Sequence, residues 1–289
     1  MVGAGLLLDG AFGDPQPFHP VAGFGRVAGA LERRMWSDSR GRGIAYVALL
    51  VGGTGSLCVR RGVVFRLVVL WACLGGRSLR AAANAMGDAL AAGDLERARR
   101  LAPTLVGRDP SRLEAPELAR ATIESVAENT GDAVIAPLFW FAVGGAPAAA
   151  AYRAANTLDA MVGHRSERYS RFGWAAARLD DLLNYVPARA GAATVVLAAA
   201  LTGDDAVGAA RAVLRDGAKH PSPNAGLYEA SFAGALGLSL GGANTYGGVL
   251  EQRPILGDGR LPEVRDIARA NRLAATTAVV FAIALMARR

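Results

Sequence analysis

Read from its N-terminus, the chain alternates apolar stretches with polar stretches dense in charge. Five apolar segments stand out, at residues 44–59, 63–76, 133–151, 188–201 and 273–287. A helix needs about 20 apolar residues to cross the hydrocarbon core, and a run of about 10–14 serves equally as a buried core helix. Only the third segment approaches full length, and it carries Pro137, Gly144, Gly145 and Pro147. Arg60-Arg61-Gly62 separates the first two, either as a hairpin tip or as snorkelling positions on a longer tilted helix. The fifth is flanked by Arg272 and the terminal Arg288-Arg289, the layout of a membrane helix with basic anchors. No stretch alternates at strand period and no Asn-Gly hairpin signal occurs. The pattern predicts an all-α, polytopic integral membrane protein with about four or five membrane-embedded helical segments and polar helical loops. Residues 1–289 read as a single domain without internal repeats, starting at or near Met1 because no secretory signal pattern precedes it.

The polar stretches are too specific to be spacers. Residues 79–101 and 116–127 read as helices. In ESVAENTGDAVIAPLFW, residues 124–140, Glu124 and Glu128 fall at i,i+4 and share one helix face, where like charges repel unless a cation joins them. Hard oxygen ligands of this kind suit Mg²⁺. Asn129-Thr130-Gly131 reads as a helix stop and Asp132 as the cap of the next helix. In residues 152–189, Tyr152, Asn156 and Asp159 form one stripe on a helix that ends at Gly163, followed by His164-Arg165. Arg178, Asp181 and Asn184 form a second stripe, with Tyr185 and Pro187 closing a turn. In residues 220–248, His220 precedes two prolines, and Asn224 caps a helix carrying Glu229 and Ser231. Gly241-Gly242 and Gly247-Gly248 bracket a loop in which backbone can approach a ligand. His19-Pro20, with Asp9, Asp14 and Arg26, is a fourth candidate. Each stretch also has a plain structural reading: a solvated helix end, an Arg178–Asp181 pair, an ordinary glycine loop.

Composition sharpens the membrane reading. The chain is 52% hydrophobic but only 7% aromatic, with mean hydropathy +0.24, and closely packed membrane helices favour small residues. The net charge of +7 is almost wholly arginine, since Lys219 is the only lysine. These arginines are scattered and not interleaved with aromatic side chains, which argues against nucleic acid and for anionic headgroups and phosphate-bearing ligands. Cys58 and Cys73 match no metal or redox spacing and read as packing residues. No P-loop, GxSxG elbow or HExxH motif occurs. What remains is carboxylates, amides, arginines and three histidines, a set suited to Mg²⁺-assisted phosphate handling and proton transfer.

In their order, these motifs resemble the adenosylcobinamide-phosphate synthases of cobalamin biosynthesis, the CobD/CbiB family. The resemblance rests on the segment from Asp9 to Val21, on ESVAENTGDAVIAPLFW, YRAANTLDAMVGHRSERYSRFG, ARLDDLLNYVPAR, HPSPNAGLYEASFAGALG and GGANTYGG. It implies a multi-pass protein of the inner (cytoplasmic) cell membrane. The implied activity is an acid–amine ligase that joins adenosylcobyric acid to (R)-1-amino-2-propanol O-phosphate, or to aminopropanol, with ATP and Mg²⁺. Implied partners are the corrinoid, the amino-alcohol phosphate, the lipid bilayer and other cobalamin-assembly enzymes, with no nucleic acid. A non-catalytic scaffold or transporter for corrinoid intermediates is the alternative. Within the matching motifs we assign Glu124, Glu128 and Asp132 to the metal, and His164, His220, Asp159 and Asp181 to catalysis. Arg153, Arg165, Arg178, Asn129, Asn156, Asn184 and Asn224 are assigned to substrate and phosphate.

Overall fold

The computed structural model describes every residue except 15–18, 60, 107, 108, 112, 165, 247, 248 and 289, and for 244–246 and 249–251 the backbone only. The protein is mostly helical (77%). In chain order the helices are α1 (Val2–Phe12), α2 (Pro20–Met35), α3 (Arg40–Leu57), α4 (Val63–Cys73), α5 (Gly76–Ala91) and α6 (Leu95–Leu101). They continue with α7 (Ala115–Thr130), α8 (Ala136–Leu158), α9 (Trp174–Thr202), α10 (Ala206–Asp216), α11 (Ala225–Leu236) and α12 (Val264–Ala287). Between α11 and α12, strands β1 (Leu240–Tyr246) and β2 (Val249–Leu256) pair antiparallel, with a bulge between Leu240 and Gly242.

Among the described residues three helical stretches are long and apolar enough to cross a membrane: Ala115–Gly163, Trp174–Thr202 and Val264–Ala287. They contain three of the five predicted apolar segments. The other two form α3 and α4, of 18 and 11 residues, and neither meets both requirements. Arg40 and Arg42 in the first turn, far more than Gly52, Gly53 and Gly55, lower the hydropathy of α3, and α4 is too short.

The structure corrects several local expectations. The stop at Asn129-Thr130-Gly131 is absent: Gly131 is right-handed helical (φ −63°, ψ −59°), and Gly131–Ile135 makes a π-helical turn that runs into α8. The side chains expected to end the helix bond back along it instead, Asn129 Nδ2 to the Ser125 carbonyl at 2.9 Å and Thr130 Oγ1 to the Val126 carbonyl at 2.6 Å. Asp132 therefore lies inside the π turn and is not a cap. Nor does the chain turn at Tyr185–Pro187, because α9 runs through Pro187 to Thr202. Membrane helices tolerate such a proline where neighbouring groups satisfy the freed carbonyl. The first part of the expected glycine loop is strand β1, whose sequence LGGANTY has no apolar alternation to announce it, and the second glycine pair, Gly247-Gly248, lies outside the described residues. Residues 79–101 split into α5 and α6 at Gly93 (φ +71°), where the Asp94 carboxylate caps α6 by accepting from the Arg97 N–H at 2.9 Å. Asn224 is the N-cap of α11 by position, but Ser222 Oγ does the capping, accepting from the N–H groups of Asn224 and Ala225. Gly163 ends the π turn that follows α8, as expected.

The chain forms two compact units. The first comprises residues 1–75, 132–187 and 282–289. There α3 and α4 pack on α8, and α1 packs on α4. Its core includes Ala28, Tyr46, Leu50, Leu158, Val162 and Phe172. Tyr46 donates to the Ala28 carbonyl at 3.1 Å and lies 5.1 Å from the Phe172 ring. Helix α8 breaks at Gly144 and Gly145, whose φ of +66° favours glycine.

The second unit comprises residues 76–131 and 188–281. Its α10 and α11 cross closely at glycine: a Cβ on Gly234 would lie 2.2 Å from the Gly208 carbonyl oxygen. Tyr228 of α11 fills the space that glycine leaves at positions 131 and 191, where a Cβ would meet its ring or hydroxyl within 2.3 Å. Buried Asp266 ties the start of α12 to Arg260 through two 2.8 Å hydrogen bonds.

Candidate functional site

The first unit gathers a polar cluster where α8 and the first half of α9 face each other. Asn156 sits at its centre. Its Nδ2 donates to Asp132 Oδ2 and to Asp180 Oδ1, each at 3.2 Å, and its Oδ1 accepts from Arg153 Nη1 at 3.3 Å. Asn184 Nδ2 donates to the other Asp180 oxygen at 3.0 Å, and Asn184 Oδ1 accepts from the Tyr152 hydroxyl at 3.0 Å. Helical spacing explains the arrangement. Tyr152 and Asn156 are one turn apart on α8, Asp180 and Asn184 one turn apart on α9, and the π turn at Gly131–Ile135 presents Asp132 to the same place. Single π turns recur at functional sites because the extra residue re-aims a side chain.

Two carboxylates sharing one amide are stable only while that amide, or a cation, stands between them. Asp132 and Asp180 therefore suit Mg²⁺, which is bound through one or two carboxylates with water and substrate phosphate completing its shell. Among the described residues no group of three or more His, Cys, Asp or Glu is arranged to hold a metal ion.

Beside the cluster, Arg153 lines an apolar cavity of about 280 Å³. His19 caps α2, its Nδ1 accepting from the Val21 N–H at 3.1 Å, and its Nε2 lies 3.8 Å from Asp14 Oδ1. Burial holds the His19 imidazole below its ordinary value; Asp14 opposes that shift and Arg153 reinforces it.

In the second unit, His220 stands 3.4 Å through Nε2 from both Glu229 Oε1 and Arg253 Nη1. Its Nδ1 accepts from the Ser222 N–H at 3.0 Å and lies 3.3 Å from the Ser222 carbonyl oxygen. Each neutral tautomer is thereby satisfied: Nε2–H toward Glu229 with Nδ1 accepting, or Nδ1–H toward the Ser222 carbonyl with Nε2 accepting from Arg253. Burial lowers its pKa, Ser222 opposes that, and Arg253 adds to it, so the ring is neutral at pH 7. In the same unit Glu124 accepts from the Gly241 N–H at 2.8 Å and pairs with Arg120 at 3.6 Å. Arg120 in turn donates to the Ala243 carbonyl at 3.0 Å, so α7 side chains hold the glycine-rich strand.

The remaining sequence candidates are placed as follows. Glu128 is exposed on α7, and Asn129 bonds within its own helix. Asp159 opens the π turn after α8. His164 is exposed, edge-on to the Tyr169 ring at 5.0 Å. Arg178 and Asp181 pair with each other at 3.4 Å on the outer side of α9. Asn224 is buried at the start of α11, and Arg165 lies outside the described residues. Asp180, Tyr152, His19, Arg120, Glu229 and Arg253 are polar residues of these clusters that the assigned set lacked. The i,i+4 spacing of Asp180 and Asn184 was the available signal for the first of them.

The family model described as CobD/Cbib protein matches residues 2–274. The cobalamin biosynthesis protein CobD of Mycobacterium tuberculosis (strain ATCC 25618 / H37Rv) is 51% identical, covering 99% of this chain and 95% of the relative. Those of Geobacter metallireducens (47% identical, covering 88% of this chain and 84% of the relative) and Klebsiella pneumoniae (42%, covering 91% and 86%) are also similar. No solved structure matches the chain.

Proposed function

The chain belongs to the CobD/CbiB family, and from that premise we propose that it is a membrane enzyme of cobalamin biosynthesis. In our reading it joins the free carboxyl of adenosylcobyric acid to the amine of (R)-1-amino-2-propanol O-phosphate, or of aminopropanol, at the expense of ATP. The observation that carries the catalytic reading is the Asp132–Asn156–Asp180 arrangement, a carboxylate pair held by one amide.

The chemistry asks for three things. A carboxylate must be activated by phosphoryl transfer, the negative charge that gathers there must be offset, and the attacking amine must lose a proton. Asp132 and Asp180 would hold Mg²⁺, which supplies charge neutralisation at the phosphoryl groups when bound with the nucleotide. Asn156 and Asn184 fix the orientation of the carboxylates, and Arg153 adds positive charge beside them. Proton acceptance falls to a neutral imidazole. His19 in the first unit and His220 in the second both have the required protonation, and substituting each by Gln separates their contributions.

The test is direct. Purified protein in detergent is given adenosylcobyric acid, ATP, Mg²⁺ and each amine in turn, and the product is read by mass. Formation of adenosylcobinamide phosphate or adenosylcobinamide, lost on Asp180→Asn, supports the reading. Folded protein that forms no amide with either amine overturns it in favour of a scaffold or transporter.

A further inference from the structure

Helix α10, in the second unit, turns its large apolar residues outward. The side that packs on α11 carries Ala209, Ala212 and the ion-paired Asp216, all buried, with Gly208 at the crossing itself. Leu214, by contrast, is 87% exposed and Val207 58%. At about 100° per residue, Val207, Arg211 and Leu214 fall within about 60° of one another on the outer face. Arg211 is exposed between the two apolar side chains.

What covers that face follows from the helices beside it. α9 is long and apolar enough to cross a membrane, and its last two turns expose Leu197 and Leu201. It ends at Thr202, and Gly203 (φ +75°) turns the chain. Asp204 then pairs with Arg269 at 2.9 Å and Arg272 at 3.7 Å, in the charged start of α12. Charges gathered where one spanning helix ends and another begins mark the edge of the hydrocarbon. α10 begins at Ala206, four positions past Thr202, and so starts at that edge.

We propose that α10 is an interfacial helix lying along the bilayer surface, with Val207 and Leu214 in the acyl boundary and Arg211 among anionic headgroups. Its 11 residues span roughly 16 Å, too short to cross a core of about 30 Å. A helix of this kind buries its apolar residues at the headgroup boundary, while an arginine lays its stem on hydrocarbon and its guanidinium among phosphates. A protein partner fits the face less well. About 16 Å by 10 Å is on the order of 160 Å², a fifth of the roughly 800 Å² that one side of a stable protein interface buries. α10 ends four positions before His220, so the placement holds the His220–Glu229–Arg253 cluster near the membrane surface. The inference rests on α9 and α12 crossing the membrane and on no step of the ligation.

The test uses the full chain with its two cysteines removed (Cys58→Ala, Cys73→Ala) and one introduced at an exposed site, Leu214→Cys or Leu197→Cys. Each is labelled with the fluorophore NBD and reconstituted in liposomes containing phosphatidylglycerol. The label at position 214 should emit in the blue. A lipid with its nitroxide at the headgroup should quench it at least about twofold more than one with its nitroxide near the acyl terminus. The label at 197, below the end of α9, should shift toward the deeper quencher. Arg211→Glu should weaken the shallow quenching at 214 about fivefold at low salt, the scale of one basic residue at an anionic surface, and leave 197 unchanged. If 214 emits as in water and is quenched by aqueous iodide while 197 is quenched by lipid, the interfacial placement is overturned and the membrane reading stands. If lipid quenches neither label, the membrane reading fails and the inference with it. Blue emission at 214 that neither lipid quenches means a protein covers α10, which also overturns it. Quenching unchanged by Arg211→Glu overturns the headgroup pairing.

Discussion

Asn156 offers the sharpest test of the polar cluster, because two substitutions of nearly the same size have opposite consequences. Asn156→Leu removes the donor that faces Asp132 and Asp180 and the acceptor that faces Arg153. A hydrogen bond to a charged group is worth about 1.5–3 kcal/mol, and the site is only half-buried, so the lower end applies to each of the two carboxylate bonds. The expected loss is about 3 kcal/mol, a fall in melting temperature of roughly 6–12 °C at 2–4 °C per kcal/mol.

Asn156→Asp loses the same two bonds and places a third carboxylate against the first two. At about 4 Å and an effective dielectric of about 20, each of the two new repulsions is on the order of 4 kcal/mol, and the single attraction to Arg153, which keeps its acceptor, offsets about one of them before protonation relieves the rest. In EDTA this variant should melt below Asn156→Leu. A divalent cation reverses the order. Three carboxylates form a better Mg²⁺ site than two, and occupancy at about 100 times the dissociation constant returns about 2.7 kcal/mol. The leucine variant, with no added ligand, should gain no more than the wild type does. Cys58 and Cys73 are buried, so a thiol-reactive dye reports unfolding in detergent without added label. If the two variants melt together, and Mg²⁺ moves them equally, the cluster is not held by charge and its assignment to the metal fails.

Three further outcomes follow from the same structure. Asp216 is buried against Arg215, Lys219 and the Gly257 N–H, which together, with Arg215 foremost, hold its carboxyl well below the ordinary 3.8. Its contribution is present above that value and lost as pH falls below it, so Asp216→Asn should cost about 2–3 kcal/mol at pH 7, discounted because both cations are half-exposed, with the gap closing below about pH 4. His220 is buried neutral, so the unfolded chain takes up its proton first as pH falls below 6.5; His220→Gln should flatten the stability loss between about pH 6.5 and 5 in a melting series. Arg178→Lys should change stability by less than about 1 kcal/mol, because its pair with Asp181 is exposed. If Arg178 grips phosphate, the same change should weaken a phosphate-bearing substrate about tenfold in a Kd measurement, through loss of the bidentate fork.

Much of the architecture was legible in the apolar runs, because helix formation there needs only length and a lack of charge. The helix ends were less so. Asn129, Thr130 and Gly131 are stop residues by propensity, yet each is used differently: two bond back to carbonyls one turn earlier, and the glycine makes room for Tyr228. That third role depends on a residue about a hundred positions away, and no local pattern contains it. The hairpin was hidden for a related reason. Its glycine-rich strand is fastened by Glu124 and Arg120 of α7 more than by any alternation of its own.

That Asp180, and not the assigned Asp181, joins the polar cluster has its reason in the solvent. In water a helix turns its large apolar residues inward, and Leu182 and Val186 on α9 would then mark the buried face. In this helix they are exposed, with Leu197 and Leu201 continuing the stripe, while the buried positions, Val195 apart, are mostly small or polar and include Ala176, Asn184, Ala188, Ala192, Thr194, Ala198 and Ala199. Hydrocarbon surroundings remove the hydrophobic reason to bury leucine, so close packing and hydrogen bonding decide which face turns inward. Small and polar residues then line the interior and large apolar ones face lipid. On that rule Asp180 follows Ala176 by one turn and precedes Asn184 by one turn, which puts it on the inner face. Asp181 falls about 100° around the helix from Asp180 and pairs with Arg178 nearer the outside. The inverted face of α9 is itself an argument for the membrane, since a water-exposed helix with that pattern would leave its leucines unburied and its carboxylate in the core.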